Sequence, residues 1–260
     1  MSTALKYKFD LLRWSGMKCT LLFALICLIT SCHKSDDEST GTINLSFTSH
    51  FGAEQFSALK PYSYFGNQSI KFSKFDFYIT GIQLISSSEI LDIDQHALID
   101  LTSSATGDQV LTLRDIKSGE YTAIKLAIGV IPSLNKKQPK DFNSSDVLSS
   151  TSHYWDAWNS FIFSKIEGVI DTGGTKTFDL GFAVHTGTDQ CLQTLTIPKS
   201  FAVIENNEIV IHLDVDIKTI FTVSGQFFDL TKSPLNHNPT NIETLTSFSE
   251  RMANSIQLKN

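Results

Sequence analysis

The chain has 260 residues, of which 41% are hydrophobic and 18% charged, and its formal net charge is −6. With 27 acidic against 21 basic residues and no dense Lys/Arg cluster, it lacks the basic patch that a phosphate-backbone binder needs, so no nucleic-acid partner is expected. Three of the four cysteines fall within the first 32 residues, which leaves the body of the chain with Cys191 alone and rules out an internal disulfide frame or a thiolate cluster.

Residues 17–32, MKCTLLFALICLITSC, begin the chain's organisation. Lys18 supplies a positive start, and Cys19 to Thr30 form an apolar run of signal-peptide length, too short to span a bilayer. The run ends in Ile29-Thr30-Ser31-Cys32, which resembles a bacterial lipobox, so Cys32 is the expected lipidation site. Residues 1–31 are then an extension and signal peptide, and Met17 is a better start than Met1. Loss of their four Lys/Arg and one Asp takes the net charge from −6 to −9. Residues 32–40 form a polar tether whose acidic HKSDDEST resembles the surface-export signal of Bacteroidetes lipoproteins. The expected location is the bacterial cell envelope, lipid-anchored to the outer membrane, periplasmic or surface-exposed.

Residues 41–257 are expected to form one domain. Apolar residues alternate with polar ones at Ile43, Leu45 and Phe47, then at Phe75, Phe77 and Ile79, and at Ile124, Leu126 and Ile128. Phe178, Leu180, Phe182 and Val184 repeat the pattern, as do Ile209, Ile211, Leu213, Val215 and Ile217. Successive strand residues face opposite sides, so period two marks strands with one buried face. Turn residues separate the runs at Lys117-Ser118-Gly119, Thr172-Gly173-Gly174 and Asn206-Asn207. Many short strands with such punctuation predict an all-β fold, an antiparallel β-sandwich. Residues 131–152, with two prolines and many serines, are expected to be a long loop. After Pro239 the period changes: Ile242, Leu245, Phe248, Met252 and Ile256 predict a C-terminal helix, with Asn238 or Thr240 as its cap.

Catalytic motifs are missing. There is no Gly-rich phosphate loop, no G-x-S-x-G elbow and no His-Glu-x-x-His, so a non-enzyme is expected. Six histidines lie in the body: His50, His96, His153, His185, His212 and His237. Imidazole suits copper and zinc, with no thiolate cluster in competition. His212, Asp214 and Asp216 share one strand face and suit either a hard cation or solvent; Asp92, Asp94 and His96 pose the same choice in a turn. The stretch HYWDAWNSFIFSKIEG, residues 153–168, holds two of the three tryptophans. It predicts a turn carrying Trp155 and Trp158, followed by a strand buried on both sides from Phe161, with Lys165 and Glu167 on one face.

This stretch resembles the "M-x-W-x-W-x-x-G-Y-x-F-x-K-x-E-G" pattern of MbnP-like (methanobactin-associated periplasmic copper-binding) proteins. FDFYITGIQL (75–84), ALIDL, IKSGEYTAIKLAIGV (116–130), FAVHTG (182–187) and IVIHLDVDIKTIF resemble other segments of that family in the same order. The resemblance implies an envelope β-sandwich that binds one copper ion through two histidines and a tryptophan oxidised to kynurenine. A MauG-type di-haem enzyme is the implied partner for that oxidation. Carried over by position, His185 matches one ligand, His50 is the candidate for the second, and Trp155 is the candidate for kynurenine. His153 and Trp158 are accessory positions, and Glu167 and Asp100 are expected to be structural. Tyr154 stands where the family has methionine, and Ser160-Phe161 where it has Gly-Tyr. The function expected is copper acquisition or storage. The alternative is a lipoprotein that binds a non-metal ligand such as a glycan, with sugar rings stacked on the aromatic faces.

Overall fold

The computed structural model describes residues 39–259; the expected signal segment, Cys32 and most of the expected tether lie outside the described residues. Eight long strands carry the fold: β1 (Thr40–Phe51), β2 (Ser69–Ile85), β3 (Gln109–Lys117), β4 (Gly119–Ile128), β5 (Ser160–Asp171), β6 (Leu180–Gly187), β7 (Gln193–Val203) and β8 (Glu208–Asp216). One helix of 14 residues, α1 (Ile242–Ser255), follows them. Among the described residues no helix is long and apolar enough to cross a membrane.

Two sheets face one another. The smaller, of five strands, runs Ile256–Leu258, β8, β1 and Glu54–Gln55, with β3 also paired to β1. The larger, of ten strands, runs β7, β4, β2, β5, β6 and Leu235–Asn236, with four short strands paired at its flanks. Period-two burial is regular on β1, where Ile43, Leu45, Phe47 and Phe51 point inward and their neighbours do not. The inner faces meet through aromatic rings: Phe47 of β1 meets Phe77 of β2 edge-on at 6.3 Å, and Phe51 of β1 meets Phe72 of β2 at 6.0 Å. Such offset or edge contacts add to the area that each ring removes from water. The fold is thus a mostly-β sandwich with a C-terminal helix.

Most ladders are antiparallel, but β1 and β8 are parallel from Thr42↔Glu208 to His50↔Asp216. Period two is the same for both pairings, so alternation does not discriminate between them; β1 and β8 are far apart in sequence, and no hairpin dictates their sense. The sheets are therefore mixed.

Residues 131–152 are not an open loop. They fold into a helical turn at Pro132–Asn135 and single 3-10 turns at Pro139–Asp141, Val147–Ser149 and Thr151–His153. The segment lies on the outer face of the large sheet. There Leu148 joins Tyr78, Val130, Phe161, Phe163, Cys191 and Leu245 in a second apolar cluster. α1 presents Leu245 to this cluster and Phe248, Met252 and Ala253 to the main core. Its N-cap is Asn241, which makes no side-chain cap bond; Asn238, expected as the cap, instead caps the 3-10 turn Pro239–Asn241 that leads into the helix, its side chain accepting from the Thr240 N–H.

Candidate functional site

The aromatic stretch sits at the start of β5. Trp155 pairs with Ser160 across a two-residue ladder, Asp156–Trp158 make a 3-10 turn, and Asn159 closes it at φ 47°. Asparagine tolerates this left-handed conformation because its short polar side chain hydrogen-bonds locally. From Ser160 to Ser164 every residue is buried, as expected for a strand covered on both faces. Asn135 from the covering segment sets this entry. Its Oδ1 accepts from the Phe161 N–H at 2.9 Å, and its Nδ2 donates to Asp189 at 2.8 Å.

Trp155 and Trp158 meet edge-on with ring centroids 5.7 Å apart; Trp158 is 44% exposed and Trp155 is partly buried. Trp155 lies across β6. A Cβ placed on Gly187 would sit 2.5 Å from its Cζ3 and 2.7 Å from the Phe161 carbonyl oxygen, so only glycine lets the indole approach this closely. Residues two apart on a strand share a face, so the indole packs beside the position of His185, about 7 Å along β6.

His185 lies on the outer face of the large sheet, while its neighbours Phe182 and Val184 enter the core. It is opposite Lys165 in the ladder, and its Nε2 pairs with Glu167 Oε1 at 2.7 Å. Burial pulls its imidazole below the ordinary value of 6.5, with Lys165 and His237 acting in the same direction; the Glu167 carboxylate opposes them. The ring of His237, just after the short strand Leu235–Asn236, is centred 6.1 Å from that of His185. If Nε2–H donates to Glu167, Nδ1 of His185 carries the free lone pair. This is the usual arrangement of a ligating histidine held by a carboxylate behind it.

His50 is elsewhere. It lies on the outer face of β1 in the small sheet, beside Asp216 of β8, with Nδ1 at 2.6 Å from the Gly52 carbonyl and 3.7 Å from Asp216 Oδ1. With Asp214, Asp216 and Lys259 it lines a polar groove of about 440 Å3. The main core separates the outer faces of the two sheets, which pack ~10 Å apart even before side chains are counted, so His50 and His185 do not converge on one ion. Asp214 and Asp216 thus face this groove, while His212, on the same strand face, is exposed.

The other positions are paired within the protein. His153 is buried, with Nε2 at 3.0 Å from Asp76 and Nδ1 at 3.1 Å from Ser152 Oγ. Asp76 also pairs with Lys74 at 2.8 Å, and Lys74 with Asp100 at 2.6 Å. The Lys74 and Thr102 hydrogen bonds outweigh burial and hold the Asp100 carboxyl below its usual range. His96 pairs with Asp146 at 2.8 Å and pins the covering segment; Asp92 accepts from Gln83. Among the described residues no group of three or more His, Cys, Asp or Glu is placed to hold a metal ion.

His237 was not distinguishable in sequence, because it follows a two-residue strand with no periodic signal. Asp76 had one: an acid between Phe75 and Phe77 in a strand whose centre is buried on both faces.

One solved structure, MbnP from Methylosinus trichosporium, is similar over 69% of this chain and 77% of that one, at 12% sequence identity and a TM-score of 0.47. No curated protein matches the sequence. The MbnP family model matches residues 40–243, from the first residue of β1 into α1. That span includes every long strand and the whole aromatic stretch, and the chain belongs to the MbnP family.

Proposed function

We propose that this chain is a lipid-anchored envelope protein that binds one copper ion on the outer face of the large sheet and serves copper acquisition or storage. The observation that carries the reading is the His185–His237 pair beside the Trp155 indole. Two imidazoles suit copper(I), which accepts low coordination numbers, and the Glu167 bond leaves His185 Nδ1 free. His237, and not His50, is the second imidazole in this reading. An unmodified indole offers only an N–H donor, so Trp155 would contribute a ligand only after oxidation to kynurenine, which adds an amino group. A MauG-type di-haem enzyme is the proposed agent of that oxidation, and the partly exposed Trp155–Trp158 pair is open to such a partner. The acidic net charge of the chain favours attraction of cations.

The test is intact mass and metal content on protein isolated from its native host. One copper per chain is expected in the wild type and in His50→Ala, with loss in His185→Ala and in His237→Ala. No stoichiometric copper in the wild type defeats the reading. A mass gain that disappears in Trp155→Phe supports the kynurenine. The exposure of Trp158 supports a second reading, in which the aromatic pair stacks on a sugar ring; glycan binding that is lost in Trp158→Ala and indifferent to His185→Ala would favour it.

A further inference from the structure

A nucleophile–base pair, absent from the sequence as a motif, is assembled by the covering segment. Ser152 is exposed, and its Oγ lies 3.1 Å from Nδ1 of His153; Nε2 of the same ring lies 3.0 Å from Asp76 Oδ2. His153 is 6% exposed and Asp76 0%, so the relay runs from solvent into the protein over three side chains. We propose that Ser152 is an activated nucleophile for acyl esters, with His153 as general base and Asp76 as its positioning residue.

The chemistry follows from which atoms are committed. Asp76 is bonded to the Lys74 ammonium and accepts from Nε2–H of His153. That fixes the tautomer and leaves Nδ1 as an acceptor for the Ser152 hydroxyl proton. Asp76, Lys74 and Asp100 together carry one net negative charge, so an imidazolium formed on His153 makes the cluster neutral. The second oxygen of Asp76, Oδ1, is buried with no hydrogen-bond partner. Such an unsatisfied carboxylate oxygen is costly in the resting state, and a positive charge on the neighbouring ring offsets it. Two further groups stand next to the nucleophile. Ser150 Oγ is 2.9 Å from Ser152 Oγ, and Lys165 Nζ donates to the Ser152 carbonyl oxygen. A hydroxyl and an ammonium at that place favour negative charge developing on an attacked carbonyl.

The cycle balances without a cofactor. Ser152 Oγ bonds to the ester carbonyl carbon as its proton passes to His153 Nδ1. The carbon–oxygen bond to the leaving group then breaks, and the alkoxide takes that proton from His153. Water attacks the acyl-serine, giving a proton to His153, and the acid leaves as the proton returns to Ser152 Oγ. The nucleophile lies on an open surface, which suits a small acyl group such as acetyl and not a substrate that needs enclosure.

The test uses the mature chain with p-nitrophenyl acetate, with acetylated positions mapped by mass spectrometry after digestion. General-base activation contributes about 10²- to 10⁴-fold, so Ser152 is expected to acetylate at least ~100-fold faster than Ser150. Ser152→Ala, on the surface and compatible with folding, is expected to remove that acetyl group and the catalytic turnover. His153→Gln is expected to bring the Ser152-to-Ser150 ratio toward one. Asp76→Asn is expected to lower the rate at Ser152 while leaving Ser150 unchanged, a selectivity that a general loss of structure would not produce. His212→Ala, exposed on the other sheet, is expected to leave the ratio intact. Equal acetylation of Ser152 and Ser150 in the wild type, or a ratio indifferent to His153→Gln, overturns the proposal.

Discussion

The outer faces of the two sheets end differently. On the small sheet the outward residues of β3 and β8 stay in water, with Val110 60% and Val210 48% exposed. At the centre of the large sheet, on β2 and the start of β5, the outward residues are covered, and Tyr78, Phe161 and Phe163 are each 2% exposed or less. The difference is the segment from 131 to 159 together with α1, which turns a one-sided sheet into a three-layered region with its own apolar cluster. Chemistry follows the cover. Asp76 and His153 become buried, His185 becomes half-buried, and Trp155 is pressed against Gly187. On the uncovered sheet His50 faces an open polar groove.

The sharpest way to break this comparison is to empty one face and then the other. Phe161→Ala removes a fully buried ring from the second cluster, where it touches Tyr78, Phe142 and Tyr154 edge-on. A loss of about 3–5 kcal/mol in denaturant unfolding is expected. Val210→Ala on the uncovered face should stay within about 0.5 kcal/mol of the wild type. Equal losses at both positions would mean that the cover contributes little to stability.

Next in size is the bond that joins cover to strand. Asn135→Ala removes the acceptor of the Phe161 N–H and leaves that buried donor without a partner. The expected cost is ~1–3 kcal/mol. Asn135→Asp retains the acceptor but sets a second carboxylate against Asp189, so no recovery is expected from it. Gly187→Ala tests the same region from β6. Its new methyl would meet both Trp155 and the Phe161 carbonyl oxygen, so a loss of ~1–3 kcal/mol is expected together with a shift in tryptophan emission. Unchanged emission would show that the indole does not depend on this close approach.

Most of the sandwich was legible in the sequence because period two is a direct consequence of strand geometry. Ile211, Leu213 and Val215 could hardly be buried any other way. The helix was legible for the same reason at period 3.6, and the entry to β5 was legible because apolar residues on consecutive positions need cover on both faces. The cover itself was not. Leu134, Phe142 and Leu148 are spaced irregularly over single turns, and a segment without period resembles a loop even when it is folded. Sequence order also brought His50 and His185 into one candidate site, since spacing carries no information about which sheet a strand joins. Only the parallel β1–β8 pairing places His50 with Asp216, and only the β6–Leu235 pairing brings His237 to His185.

The smallest expected effect tests the covered face by pH. Burial holds the His185 imidazole below its ordinary 6.5, so the folded chain resists a proton that the unfolded chain accepts. Above 6.5 neither state is protonated there, and His185 gives the unfolding free energy no slope. As pH falls below 6.5 the unfolded chain takes up the proton first, and stability is lost until the folded pKa is passed. His185→Gln should flatten that part of the metal-free stability curve, read from denaturant midpoints at stepped pH. If His185→Gln leaves that part of the curve as steep as in the wild type, burial under the covered face does not hold the His185 imidazole down.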